Sequence, residues 1–298
     1  HTRLQGDWSS DVCSSDLMYV WCDALTNYIS SLGYLTYHED KKWWDDANVT
    51  HVIGKDIARF HALYWPAMLK HAGIKTPDLL LTHGFLTSEG EKMSKSTGNV
   101  VVPDEVMEKF GVDPLRFYLS HEVPVGRDGD FSWDRMGKLY DAKLRNDLGN
   151  LLNRVLVLLQ KEGGTLTVPE PINDGEVEKV WKEYSDAMNK FELSVALQSV
   201  MKLVESCNKY IDVRKPWELK GEEKLKALSV LAECLRHISL LLLPFIPETA
   251  MKMSEQLGVP YSDQMLKKNF AIGDKKEWGS QKKWKSVGKP EILFAPIE

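Results

Sequence analysis

From Met136 to Lys161 the sequence repeats apolar residues at helical spacing, with Leu144, Leu148, Leu151, Leu152, Val155 and Leu159 on one stripe. A strand cannot use that pattern, because its alternate residues face opposite ways. Gly163-Gly164 ends the stretch, and the Pro/Asn/Gly segment from Val168 to Gly175 reads as a linker. Three further helical stretches follow: Val177 to Met188, Leu193 to Tyr210 and Lys224 to Leu243. In the second, Ala196, Val200, Leu203, Val204, Cys207 and Tyr210 line one face. Amphipathic helices in succession can bury their stripes against one another, so residues 135–298 are expected to form a helix bundle. The tail from Val259 to Glu298 has no clear period and is expected to run along the outside.

The first part of the chain has a different rhythm. Met18 to Cys22 reads as a short strand, and Ala24 to Leu32 as a helix stopped by Gly33. His51 to Ile53 is a strand leading into Gly54. Ile57, Phe60, Tyr64, Met68 and Leu69 give Ile57 to Ala72 helical spacing, and Leu79 to Leu81 is again a strand. Asp104 to Phe110 and Asp113 to Ser120 are short helices separated by Gly111. Alternation of strand and helix implies a parallel sheet covered by helices. The fold class is therefore α/β followed by all-α, with residues 18–134 and 135–298 as the two domains. A chain of 298 residues is also longer than one core usually needs.

Composition narrows the function classes. Hydrophobic residues make up 43% and charged residues 27%, as in ordinary globular proteins. A net charge of -5 excludes a generally basic surface but leaves room for a local patch that holds RNA. The strongest apolar run, Ile238 to Ile246, is too short to cross a membrane and contains Pro244. The four cysteines, Cys13, Cys22, Cys207 and Cys234, form no CxxC pair. Neither a zinc knuckle nor a disulfide framework is indicated, and a reducing, cytoplasmic setting fits. Glu39 to Asp46 reads as a solvated surface, and so does the run Lys282, Lys283 and Lys285.

His1 to Leu17 has neither a period nor a signal-peptide layout. Asp7 to Leu17 can be written in codons as a common sequencing adapter read in frame. Residues 1–17 are therefore expected to be an assembly artefact, with native sequence continuing differently upstream of Met18. Resequencing the 5′ end of the gene decides this, because recovery of the same tail from genomic DNA refutes it.

Lys92-Met93-Ser94-Lys95-Ser96 lies on a polar segment between Gly90 and Asn99. Two ammonium groups on a loop with glycine at either side suit a triphosphate whose α-phosphate and leaving pyrophosphate gain charge during displacement. A random Lys/Ser cluster is usually just a solvated loop. This order, after His83-Gly84-Phe85 and before a helical module, matches the KMSKS signature of class I aminoacyl-tRNA synthetases letter for letter. The resemblance implies that Lys95 is the stronger contributor to adenylate formation and that Lys92 assists it. It further implies that Ser94 and Ser96 line the ATP site, and that His83, Gly84 and Phe85 approach the adenine.

Two upstream segments bear on the amino acid. Tyr19-Val20-Trp21-Cys22-Asp23-Ala24-Leu25-Thr26-Asn27-Tyr28 is similar to the pocket segment of the methionyl enzymes, as is Gly54-Lys55-Asp56-Ile57 with His61 and Trp65. Leu25 departs from the proline some relatives carry. By resemblance, Trp21, Ala24, Tyr28, Ile57, His61 and Trp65 surround a methionine side chain. Asp56 would hold the ribose and Gly54 would allow close approach. A flexible, polarisable thioether suits aromatic walls, although spacing alone makes these ordinary core residues. On the bundle, Asn150 and Arg154 lie one turn apart, and Lys215-Pro216-Trp217-Glu218 follows a helix. In the methionyl family a similar Asn-x-x-x-Arg and Pro-Trp contact the anticodon. The resemblance implies that Asn150, Arg154, Pro216 and Trp217 do so here, since loop bases are read by stacking and by hydrogen bonds to exposed edges.

The chain thus resembles the C-terminal portion of a bacterial-type methionyl-tRNA synthetase. That would comprise the second half of a Rossmann-like catalytic domain with the KMSKS stem-contact region, then an anticodon-binding bundle. The implied substrates are methionine, ATP with Mg2+ and tRNA-Met, serving translation initiation and elongation. The His-rich class I signature and the zinc-binding insertion are not matched, so no zinc ligands are expected in this chain, and a chain without that half-site is expected not to activate methionine efficiently. Two rivals stay open: a class I enzyme for leucine, isoleucine, valine or cysteine, and a non-catalytic RNA-binding helical module.

Overall fold

The computed structural model describes residues 20–34, 36, 38–94, 96, 98–163, 175–262, 265, 273–281, 284 and 287–297. The adapter-like tail, Lys95, most of the expected linker and Lys282, Lys283 and Lys285 lie outside them. Packing divides the chain into residues 1–84 and 85–298. The boundary drawn between 134 and 135 falls inside the helix Trp133–Leu139 and inside the second of these units.

In the first unit, strand β1 (Thr50–Gly54) pairs in parallel with β2 (Leu79–His83), with Val52 opposite Leu81 and Gly54 opposite His83. Helix α1 (Val20–Ser30) precedes the strands, and α2 (Trp65–His71) lies between them. Leu25, Ile29, Tyr34, Trp44, Trp65 and Leu69 form the core. The strand expected at Met18 to Cys22 is corrected where it is described: Val20, Trp21 and Cys22 open α1. Three apolar residues cannot distinguish a strand from a helix start. Trp21, Leu25, Tyr28, Ile29 and Leu32, at three- and four-residue intervals, all join the same cluster. The helix ends at Ser30, and Gly33 takes φ 65 in the following turn. Glu39 to Asp46 is not wholly solvated. Trp44 is 2% exposed, and its indole donates to the Lys75 carbonyl at 2.8 Å.

In the second unit, β3 (Leu86–Ser88) pairs antiparallel with β4 (Glu91–Lys92) and parallel with β5 (Gly129–Phe131). Between β4 and β5 come α3 (Pro103–Phe110) and α4 (Val112–Glu122), separated by Gly111 at φ 96. These three strands, two or three residues long, are too short to leave a readable alternation. The expected long helix becomes α5 (Trp133–Leu139), a π-helical stretch (Tyr140–Gly149) and α6 (Asn150–Lys161) in unbroken succession. Then follow α7 (Glu176–Asn189), α8 (Leu193–Arg214), α9 (Gly221–Leu242) and α10 (Pro247–Gln256). The predicted stripes are the core: Leu144, Leu148, Leu151, Val155, Val200, Val204 and Cys207 are all buried. Every residue of α9 from Ala227 to Leu242 is buried, so it runs through the middle of the bundle.

The tail does not simply run along the outside. Phe294 packs edge-on to Tyr140 at 5.9 Å between centroids, and the Tyr140 hydroxyl donates to the Ala295 carbonyl at 2.7 Å. The Gly279 N–H donates to the fully buried Glu233 at 2.8 Å. These anchors are single residues, which leaves no period to find.

Candidate functional site

Residues expected around the amino acid meet within the first unit. Phe60–Tyr64 forms a π-helical turn leading into α2. Trp21 from α1 stacks on Phe60, with centroids 4.4 Å apart and planes within 7°, and meets His61 edge-on at 6.3 Å. Tyr28, two turns along α1, shares a hydrogen bond of 2.9 Å with His61 Nε2. His61 Nδ1 lies 3.0 Å from the Ile57 carbonyl. A carbonyl can only accept, so Nδ1 carries the proton and Nε2 accepts from the Tyr28 hydroxyl. Trp65 is fully buried behind them, 6.1 Å from the Tyr28 ring. Tyr28, His61 and Trp65 thus form one aromatic group with Trp21 at its edge. Ala24 lies on α1, and Ile57, which ends the 3-10 turn Lys55–Ile57, contributes its carbonyl.

An apolar cavity of about 260 Å³ opens beside this group, lined by Trp21, Cys22, Leu25, Tyr64, Ala67 and Met68. Only Trp21 belongs to both the cavity and the expected substrate set.

The residues of this unit expected to meet the nucleotide sit at the carboxyl ends of β1 and β2, where open parallel sheets bind ligands. Gly54 ends β1, and Asp56 lies in the single 3-10 turn that follows. A Cβ at Gly54 would fall 2.6 Å from Asp56 Oδ1, and His83 Cε1 is only 3.9 Å away. Glycine there lets the Asp56 carboxylate fold back over the strand end. His83 ends β2 with Nδ1 3.0 Å from the Gly84 carbonyl, which puts the Nδ1 proton in that contact.

The loop lies in the second unit. Lys92 closes β4 and is exposed, and Met93 packs against the core. Beyond them the described part of the loop is tied down. The Ser94 N–H donates to Asn99 Oδ1 at 2.9 Å, and Asn99 Nδ2 donates to the Lys92 carbonyl at 3.2 Å. The Ser94 and Ser96 hydroxyls are 2.8 Å apart. Asp130 supports the hairpin below: Oδ1 accepts from the Thr87 hydroxyl and the Gly90 N–H, each at 2.7 Å. Those two bonds, with Arg135 nearby, hold its carboxyl below the usual range. Phe85 is 49% exposed, and its N–H donates to Asp128 at 2.8 Å.

On the bundle, Arg154 and Trp217 come together. Lys215 caps α8 in the left-handed region at φ 46, turning the chain so that Trp217 projects, 47% exposed. Arg154 stands over the Trp217 ring at 5.7 Å from the centroid, and its guanidinium donates to Asp212 Oδ1 at 2.8 Å. Asn150 is exposed one turn before Arg154. Pro216 is buried, so its contribution is to the turn that presents Trp217. Sequence reasoning missed Asn99, Asp130 and Asp212. Each is an isolated polar residue with no local pattern, and Asn99 alone had a signal, its place at the end of the loop.

Comparison with known proteins gives the family. A family model described as "tRNA synthetases class I (M)" matches residues 5–156, and one described as "Anticodon-binding domain of tRNA ligase" matches residues 175–292. The methionine--tRNA ligase of Fusobacterium nucleatum is 43% identical over 97% of this chain and 47% of its own length. That of Bacillus subtilis is 40% identical over 100% of this chain and 46% of its own. The chain therefore spans about half the length of the curated relatives it matches. Mycobacterium tuberculosis methionyl-tRNA synthetase, solved in complex with methionyl-adenylate, superposes with a TM-score of 0.79 at 32% identity, over 94% of this chain and 56% of that one. With the catalytic-family model covering just over half of its residues, the chain belongs to the methionyl group of class I tRNA synthetases.

Proposed function

We propose that this chain supplies the substrate pocket, the KMSKS loop and the anticodon-binding bundle of a methionine--tRNA ligase. Such an enzyme activates methionine with ATP and transfers it to tRNA-Met. The observation that carries the reading is the aromatic group of Trp21, Tyr28, His61 and Trp65, built from two separated segments of sequence. The polar hydrogens of Tyr28, His61 and Trp65 are turned onto histidines and a carbonyl. What remains suits a thioether, which is polarisable and a weak acceptor.

In the proposed reaction a methionine carboxylate oxygen attacks the α-phosphorus of ATP and pyrophosphate leaves. Asp56 accepts hydrogen bonds from the ribose hydroxyls, and Gly54 allows the nucleotide close to the strand end. Lys92 and Lys95, with Ser94 and Ser96, meet the phosphates, where charge on the leaving group grows in the transition state. His83, Gly84 and Phe85 contribute to the adenine site. Mg2+ accompanies ATP as its counter-ion. Arg154 and Trp217 offer a cation and a flat face for an unstacked anticodon base, with Asn150 beside them for an exposed edge. The setting is cytoplasmic; among the described residues no helix is long and apolar enough to cross a membrane.

Charging assays with the product of the complete gene test this reading. Methionine should be transferred to initiator and elongator methionine tRNAs and not to tRNAs for leucine, isoleucine, valine or cysteine. Charging of one of those instead would favour a different class I enzyme. Binding of tRNA with no charging of any would favour a non-catalytic RNA-binding module.

A further inference from the structure

Trp65 is fully buried, and an indole N–H can only donate. Its acceptor is His51 Nε2 at 3.2 Å, so that nitrogen is bare and the proton of a neutral His51 sits on Nδ1. His51 is itself 5% exposed. Its ring lies 4.3 Å from the Tyr28 ring and 5.6 Å from that of His61, centroid to centroid. Burial first, and the neighbouring His61 second, lower the affinity of His51 for a proton, which favours the neutral acceptor form. His51 comes from β1, whereas Tyr28 comes from α1 and Trp65 opens α2. One imidazole therefore touches two members of the aromatic group that different elements supply.

We propose that His51 is a positioning residue for amino-acid recognition. It fixes Trp65 through the indole N–H and Tyr28 through ring contact, and so sets the spacing between the two rings. The inference rests on the reading that Tyr28, His61 and Trp65 surround the substrate side chain. The arrangement is a matched pair: His61 accepts from the Tyr28 hydroxyl, and His51 accepts from the Trp65 indole. Without His51, Trp65 keeps its ring but its buried N–H has no acceptor, so the indole must turn or admit water. Either change alters the fit of the substrate without touching the groups that act on phosphate. The defect should therefore fall on amino-acid KM and leave kcat nearly intact.

The test compares His51→Leu, which keeps bulk and removes the acceptor, with His51→Gln, whose amide oxygen can replace Nε2. In the 298-residue chain with 15N-labelled tryptophan, the Trp65 indole N–H resonance is assigned by its loss in Trp65→Phe. It should shift and exchange faster in His51→Leu and stay near its original position in His51→Gln. In ATP–pyrophosphate exchange by the product of the complete gene, His51→Leu should raise the methionine KM roughly tenfold, with kcat within about twofold. His51→Gln should recover most of the loss. An unmoved indole resonance in His51→Leu, an unchanged KM, or an equal fall in kcat overturns the proposal. If exchange depends on a different amino acid, the methionine reading falls, and the same KM comparison with that amino acid still decides the role of His51.

Discussion

Replacing Glu233 by alanine should cost the bundle more than breaking one of its exposed ion pairs. Two ion pairs make the reason visible. Arg236 to Glu233 and Lys138 to Asp134 have the same closest separation, 2.6 Å. The side chains of the first pair are 5% and 0% exposed, and those of the second 75% and 72%. In water the second gains little Coulomb energy and loses side-chain freedom, so Lys138→Ala should change stability by less than about 1 kcal/mol. In the interior, Glu233 also accepts from Arg236 Nε at 2.8 Å and from the Gly279 N–H at 2.8 Å. Glu233→Ala leaves a buried guanidinium that still donates to the Glu277 carbonyl at 3.1 Å but has lost its carboxylate. Removing one partner of a buried ion pair costs about 3–5 kcal/mol. For a unit of this size that lowers Tm by roughly 10 °C. Guanidinium chloride titrations followed by circular dichroism measure both variants. A Glu233→Ala midpoint indistinguishable from that of Lys138→Ala would refute the reasoning.

Three further outcomes are expected. Burial alone would raise the Glu233 carboxyl, but hydrogen bonds from Arg236 and His237 and the Arg236 charge overcome it and hold the group at about 2. Its folded pKa is depressed, so its contribution is complete above about pH 4.5 and is lost as pH falls through about 2, a slope that Glu233→Gln should flatten in acid-unfolding curves. Trp217→Ala should weaken binding of methionine tRNAs about tenfold and erode discrimination against unrelated tRNAs in filter assays, with normal discrimination assigning Trp217 elsewhere. Gly54→Ala would set a Cβ 2.6 Å from Asp56 Oδ1 and displace that carboxylate. It should raise the KM for ATP severalfold in exchange assays, and an unchanged KM would remove Asp56 from the nucleotide site.

The helical stripes were readable because they repeat: α6, α8 and α9 lie where their periods put them, with minor shifts at the ends. The parallel pair β1 and β2 was readable from its two apolar runs, each running on into the glycines at 54 and 84. Short runs misled, as when Met18 to Cys22 read as a strand and its described residues, Val20 to Cys22, proved to open a helix whose stripe begins at Trp21. Long-range contacts were not readable at all. Nothing near Gly279 or Phe294 in the sequence announces that they meet Glu233 and Tyr140 across the bundle. The aromatic group proposed to hold the substrate was legible by resemblance, which named Tyr28, His61 and Trp65. Resemblance did not reach His51, whose part appears only when β1 and α2 are brought together.

Amino-acid-dependent ATP–pyrophosphate exchange by the product of the complete gene tests the central claim most directly. With a panel of amino acids, exchange should depend on methionine and should fall by orders of magnitude in Lys95→Ala. Exchange that depends on another amino acid, or survives Lys95→Ala at full rate, would contradict the account.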